Sequence, residues 1–308
     1  MGVLGGAGVR QRRRALGVLG LVVCMSTVVA GVVDVTIVSK YQFFDESDAT
    51  QVYCYYTGSY SNQNGYQFGV EVNTGSGTTF PRARGTSKVS GEWWSVNIHS
   101  NAGDFRVGAF SCLVSDGSQT EKAITFKMKS QADVWPVAFT VTASLGDPVT
   151  LQMVQKSSRT GTLMWRKDGS ILSGQNGLSL TIASVQSSDE GIYECYYQGD
   201  TDRKQGIMRL IVRGCAADKW GPLSCTGDCP VCYNGGVCDD NTGECVCPPG
   251  FHGQKCESAC ANNKIGTSCT RECDGGDCRG KLLCVMDPYG CSCAPGFMGI
   301  ECNTGEYS

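Results

Sequence analysis

An all-β, disulfide-rich fold assembled from several small modules is what this sequence predicts, and three observations predict it. The 308 residues carry 20 cysteines and 41 glycines but only two histidines. Cysteine at this density belongs to an oxidising compartment, where modules too small for a large core are stapled. Residues 31–130 and 136–213 read as short alternating apolar runs broken by Gly, Asn and Ser clusters, the pattern of half-buried strands joined by turns. From Cys215 to Cys302, 16 cysteines fall within 88 residues, and the phrase "CVCPPGFHGQKC" (245–256) returns as "CSCAPGFMGIEC" (291–302).

The first element is a leader. Arg10, Arg12, Arg13 and Arg14 form a basic segment, and "ALGVLGLVVCMSTVVA" (15–30) is an apolar stretch ending in the small residues Val28-Val29-Ala30. That is the layout of a cleaved signal peptide over residues 1–30. The rival is an uncleaved signal anchor, since apolar residues continue through Val33 and a spanning helix needs about 20. Asp34 interrupts the run, and "VDVTIV" already alternates as a first strand. Losing 1–30 removes four arginines and no acid, so the formal charge moves from −3 to −7. A mildly acidic chain argues against a nucleic-acid or heparin partner. No second apolar stretch of about 18 residues follows, so no membrane insertion is expected after cleavage, and the chain is read as secreted. No Asn-x-Ser/Thr sequon occurs. Cleavage also removes Cys24 and leaves an odd number, 19.

Residues 31–130 read as a divergent immunoglobulin-like domain. "ATQVYCYY" places Thr50, Val52 and Cys54 on one face, and "VGAFSC" gives Gly108-x-Phe110-x-Cys112, a sixth-strand pattern with Phe in place of Tyr. Cys54 and Cys112, 58 apart, suit an inter-sheet bridge. The usual third-strand tryptophan is missing, and Tyr66 or Phe68 is expected to fill its place. Trp93 and Trp94 receive no role beyond packing.

Residues 136–213 form a second, plainer immunoglobulin-like domain. "VTLQMV" is its second strand, and "LMWRKDG" its third, with Trp165 twelve positions after Met153. "LSLTIASVQSSDEGIYECYY" is the fifth-to-sixth strand passage, with Leu178, Leu180 and Ile182 inward and Tyr193 as the tyrosine corner. Met153 stands where the partner of Cys195 would be, so this domain lacks the inter-sheet disulfide and must hold by packing. Cys195 reads as a buried, inert free thiol. A cross-chain disulfide is the sharper alternative.

Only Arg213 and Gly214 separate this domain from Cys215, so the junction is stiff and the modules are expected to run on as a rod. The repeated phrase is C-x-C-x-x-G-F-x-G-x-x-C, the terminal half of an EGF-like module, present at 215–256 and 260–302. Eight cysteines in each, instead of six, indicate the laminin-like variant. Neither block carries the Asp-x-Asp/Asn-Glu cluster of calcium-binding EGF modules, so no calcium and no other cofactor is expected.

Candidate chemistry elsewhere fails on context. Cys229-x-x-Cys232 has the spacing of a zinc knuckle or redox pair, but within the EGF pattern it belongs to a disulfide framework. Gly275, Gly280 and Lys281 have phosphate-loop spacing, yet Leu282 stands where Ser or Thr must hold magnesium, and no strand-to-helix context exists. His99 and His252 have no matching nucleophile and acid. No enzyme is read here.

Two divergent immunoglobulin domains followed directly by laminin-like EGF modules, with the junction "RGCAADKWGPLSC" and the phrases "NGGVCDDNTGECVCPPGFHGQKC" and "DPYGCSCAPGFMGIEC", resemble the Tie family of angiopoietin-receptor tyrosine kinases. The resemblance runs from about Phe126 to Asn303, including the stretch "KMKSQADVWP" between the two domains. It implies a second immunoglobulin domain without its disulfide, in keeping with Met153. It also implies a pairing that sequence alone leaves open among 105 connectivities per module. In the first module that pairing is Cys215–Cys225, Cys229–Cys238, Cys232–Cys245 and Cys247–Cys256. In the second it is Cys260–Cys269, Cys273–Cys278, Cys284–Cys291 and Cys293–Cys302.

The resemblance further implies a protein ligand carrying a fibrinogen-like domain, bound by the second immunoglobulin domain near the loop after its third strand. Here that segment, "DGSILSGQNGLSL", is shorter than the family's and lacks its proline and basic residues, so only Ile171, Ser173, Gln175 and Asn176 are carried over as an exposed edge. An ordinary hairpin is the competing reading. Family receptors continue into a third EGF module, fibronectin type III domains, a membrane helix and a kinase. This chain stops at "NTGEYS", as a secreted ectodomain fragment or as an incomplete gene product. The reading is therefore an extracellular ligand-binding segment of a Tie-like receptor. The alternative is a secreted adhesive, matrix or pattern-recognition protein built from the same modules.

Overall fold

The computed structural model describes residues 34–39, 43–45, 50–56, 66–70, 82–86, 92–98, 106–115, 120–261, 264–272, 281–286, 288–294 and 297–305, with side chains described except at 50–51, 66–70, 82–86, 92–98 and 115. All lie in one unit, Val33–Ser308. The expected leader, with Cys24, falls outside the described residues, as do the side chains of Tyr66, Phe68, Trp93 and Trp94.

Strands β1 (Val35–Ser39), β2 (Phe43–Phe44), β3 (Thr50–Tyr56), β4 (Tyr66–Val70), β5 (Arg82–Thr86), β6 (Glu92–Ile98), β7 (Gly108–Ser115) and β8 (Thr120–Lys129) build the first sandwich. One sheet carries β1-β3-β6-β5, the other β2-β8-β7-β4. Cys54 of β3 and Cys112 of β7 are disulfide-bonded across the two sheets. Val52, Cys54 and Tyr56 alternate into the core with Val35, Ile37, Phe110 and Phe126, as the pleat requires.

The second sandwich follows with β9 (Val134–Pro136), β10 (Thr140–Ser144), β11 (Val149–Gln155), β12 (Leu163–Lys167), β13 (Ser170–Leu172), β14 (Ser179–Ile182), β15 (Gly191–Tyr197) and β16 (Gly206–Arg213). A five-stranded sheet β10-β16-β15-β12-β13 faces a three-stranded sheet β14-β11-β9. Along β11, Val149, Leu151 and Met153 are buried and Thr150 and Gln152 exposed, the period of two that seats one face on the core. Trp165, Met153, Tyr193 and Cys195 share that core. The Tyr193 hydroxyl donates to the carbonyl of Asp189 at 2.7 Å.

Residues 215 onward form short two-stranded ladders, as expected of stapled modules: β17 (Lys219–Trp220) with β18 (Gly227–Asp228), and β19 (Val237–Cys238) with β20 (Cys245–Val246). β21 (Phe251–His252) pairs with β22 (Ser258–Ala259), which starts the next module. There β23 (Lys264–Ile265) pairs with β24 (Arg271–Glu272), β25 (Leu282–Val285) with β26 (Cys291–Cys293), and β27 (Phe297–Met298) with β28 (Thr304–Gly305).

The modules do not run on as the rod the sequence suggested. β25 pairs antiparallel with β1, from Thr36↔Val285 to Ser39↔Leu282, so the second EGF-like module extends the first sandwich's sheet. The outer face of that sheet is covered too: Val38 and Tyr55 pack with Ile265, Leu283 and Ala294. All five residues of β1 are consequently buried. Asp34 pairs with Arg271, and both are almost wholly buried. The second sandwich joins the same assembly through Phe139, Ile192 and Ile207, which belong to the core of the first. A stiff two-residue junction after β16 fixed only the first EGF-like module. The physical reason for the return is apolar area: Leu282 and Leu283 point to opposite faces of β25, and both faces find a partner.

Candidate ligand-binding site

The four residues carried over as a binding edge sit on and after β13, the outermost strand of the five-stranded sheet. Asp168 (φ 47°) and Gly169 (φ 82°) turn β12 into β13, the left-handed pair that makes a two-residue hairpin loop match strand twist. Asp168 also pins the turn inward. Its Oδ1 accepts the amide of Ile192 at 2.8 Å, and its own amide donates to the Ile192 carbonyl at 2.8 Å. A Cβ on Gly191 would collide with the Asp168 carboxylate, which is the reason for glycine in Asp189-x-Gly191-x-Tyr193.

Register decides which way the strand faces. Trp165 lies opposite Leu172 and Cys195, on the core side, so Arg166 lies opposite Ile171 and Glu194 on the outer side. Ile171 is 60% exposed. Ser173, Gln175 and Asn176 follow it in an exposed loop whose base is fixed to the core: the Trp165 indole donates to the Gly177 carbonyl at 2.7 Å, and the Met153 amide to the Leu178 carbonyl at 2.8 Å. A rigid base with an exposed tip suits recognition.

Four neighbours on this face were not singled out from the sequence. Arg166 binds Glu194 at 2.5 Å, and its guanidinium lies 4.5 Å from the centre of the Tyr196 ring. Met164 lies opposite Tyr196 in the same ladder. Glu194 is 1% exposed and also accepts from Gln205 at 3.1 Å. The buried carboxylate is thus held by two donors and orients Arg166 on the surface, a geometry that suits bidentate or stacked contacts. The signal was available in the two-residue period counted from Trp165.

Beside the Asp168 turn a cleft of about 530 Å³ separates Lys122 and Ile124 of the first sandwich from Glu190, Ile192 and Arg209 of the second. Glu190 accepts the Val212 amide at 3.0 Å and stands 4.0 Å from Arg209. Among the described residues no group of three or more His, Cys, Asp or Glu could hold a metal ion. No described helix is long and apolar enough to cross a membrane.

The structure bonds Cys215–Cys225, Cys229–Cys238, Cys232–Cys245 and Cys247–Cys256 in the first EGF-like module. In the second it bonds Cys260–Cys269, Cys284–Cys291 and Cys293–Cys302. Cys273 and Cys278 fall outside the described residues. Cys195 is unbonded and fully buried, and burial pushes its thiol up to about 12. A buried, protonated thiol is a poor nucleophile.

Tandem immunoglobulin-type sandwiches closed onto stapled EGF-like modules define the class: an extracellular receptor-like segment. The chain is 37% identical over 205 residues to an angiopoietin-1 receptor of Danio rerio, a match covering 64% of this chain and 18% of that protein. Its similarity is thus to the Tie-family ectodomain, in the immunoglobulin–EGF portion. It is also 34% identical over 80 residues to protein lin-12 of Caenorhabditis elegans, covering 24% of this chain and 5% of that one. With human multiple epidermal growth factor-like domains protein 6 the identity is 39% over 110 residues, 33% of this chain and 6% of that one. The chain spans less than a fifth of the length of these relatives. No protein-family model matches it. Among solved structures, one of Dscam isoform specificity matches at 18% identity and a TM-score of 0.25, covering 54% of this chain and 42% of that one.

Proposed function

We propose that this chain is the extracellular ligand-binding segment of a Tie-like cell-surface receptor, delivered through a cleaved leader at residues 1–30, with no catalysis of its own. The observation that carries the reading is the similarity to an angiopoietin-1 receptor across most of the chain. The exposed β13 edge supports it, with Ile171, Ser173, Gln175 and Asn176 as the contact and a fibrinogen-like domain as the partner. Ile171 would act as the apolar anchor, with Arg166 and Tyr196 beside it. Such a combination of a few aliphatic, aromatic and arginine side chains typically dominates binding energy.

The test is a pulldown of soluble residues 31–308 with isolated fibrinogen-like domains, alongside Ile171→Asp. Binding lost about 30-fold or more in the variant, on the order of 2 kcal/mol, supports the reading. No binding by the wild type would sink it. Multivalent capture of matrix, cells or microbes in its place would establish the adhesive alternative.

A further inference from the structure

Seven of the eight described disulfides join cysteines whose Cα atoms are 5.2–6.1 Å apart. The eighth, Cys284–Cys291, differs in kind: the two residues face each other directly in the β25–β26 ladder, with Cα atoms 3.9 Å apart. Facing residues of ordinary antiparallel strands stand about 4.5–5.5 Å apart. This bridge also closes a loop with a sequence separation of only 7, the smallest of the eight, so it removes the least freedom from the unfolded chain. Its position is more telling than its contribution to stability.

The β25–β26 hairpin is the piece of the second EGF-like module that touches everything else. β25 is hydrogen-bonded to β1 along its whole length. The Cys284 side chain is fully buried within the first sandwich's core. The sulfur of Cys291 lies 3.0 Å from the carbonyl oxygen of Ile124 in β8. A Cβ on Gly290, at the hairpin turn, would stand 2.6 Å from Thr140 of the second sandwich. The bridge thus sets the width of a hairpin clamped between β1, β8 and β10.

We propose that Cys284–Cys291 is a thiol-exchange site whose bridge latches the second EGF-like module onto the first sandwich. The co-reactant is a dithiol reductant. Its thiolate attacks the sulfur of Cys291, the partly exposed partner. The S–S bond breaks, and the electron pair goes to Cys284, which takes a proton. The second thiolate of the reductant then attacks the mixed disulfide, releasing Cys291 to take a proton and leaving the reductant oxidised to its own disulfide. Two electrons and two protons end on the hairpin. The two sulfurs, bonded at about 2 Å, then need non-bonded separation on the order of 3.5–4 Å. With Cys284 in the core and Cys291 against Ile124, the hairpin widens only by giving up a docked face.

Graded reduction of the intact chain with dithiothreitol, with alkylation mapped by mass and amide hydrogen exchange read in parallel, tests this. Cys284 and Cys291 are expected to be alkylated before any other bridge opens. In the same step the amides of Thr36–Ser39 should exchange roughly tenfold faster or more, while those of Leu151–Met153 stay unchanged. Cys284→Ala with Cys291→Ala should show the same β1 exchange without any reductant. Alkylation of these two only together with the other bridges overturns the proposal. So does selective alkylation that leaves β1 protected.

Discussion

The two sandwiches solve one packing problem in opposite ways. The first has a covalent tie, Cys54–Cys112, yet its sheet is not finished by its own sequence: Val38 and Tyr55 are covered by residues of the distant EGF-like module. The second has no tie. It closes on itself through Trp165, Met153, Tyr193, Cys195, Leu151 and Leu210, and Met153, a flexible thioether, fills the room a bridge would have taken. The contrast teaches where a staple matters. It is retained where completion of the core depends on a far segment and is dispensable where a large aromatic residue and its neighbours complete the core locally.

The largest effect that breaks this comparison is at Trp165. The indole is fully buried and donates to the Gly177 carbonyl, so Trp165→Ala should cost about 3–5 kcal/mol. Chemical denaturation followed by Tyr and Trp fluorescence should show the second sandwich unfolding first. Next, Cys54→Ala with Cys112→Ala should cost about 2–5 kcal/mol, and hydrogen exchange should place the loss in β3 and β7, leaving β11 and β15 protected. If the same variant melts the second sandwich equally, the two cores are not independent.

A pH series sharpens the comparison further. The Cys195 thiol, at about 12 in the folded state against an ordinary value of 9.0, is raised by burial. The unfolded chain therefore releases this proton first as pH rises, which favours unfolding. Stability is untouched by this group below about pH 9 and falls between about 9 and 12, by about 1.4 kcal/mol per pH unit. Cys195→Ala should lack this slope when its stability curve is subtracted from the wild type's. The smallest effect is Tyr193→Phe, which removes the hydroxyl donating to Asp189 and should lower stability by about 1 kcal/mol.

Much of this architecture could be read from local pattern. The Asp-x-Gly-x-Tyr-x-Cys run, Trp165 and the alternation of β11 depend on neighbours within one sandwich, and the EGF phrase is fixed by turns and sulfurs close in sequence. What escaped was set by distant partners. "VDVTIV" reads as an alternating strand, but β1 is buried on both faces because β25 lies beside it and Ile265 and Leu283 lie over it. Leu282 drew notice only as the wrong residue for a phosphate loop; it is a core residue of the returning module. At the proposed binding edge the exposure of Ile171, Ser173, Gln175 and Asn176 was legible, since glycine, serine and asparagine mark a loop. The Arg166–Glu194 pair was not, because its buried carboxylate depends on Gln205 arriving from the segment just before β16.

The β1–β25 ladder also bears on the order in which the chain is made. Thr36 pairs with Val285, so β1 leaves the ribosome roughly 250 residues ahead of its partner. At about 5–20 residues per second, that is a wait of roughly 12–50 s. Throughout it, β1 presents an open edge with apolar residues on both sides, the kind of surface that recruits strands from neighbouring chains. Chaperones that shield nascent strands would therefore have the most to do at β1, whose sandwich is finished only when a segment made long after it arrives.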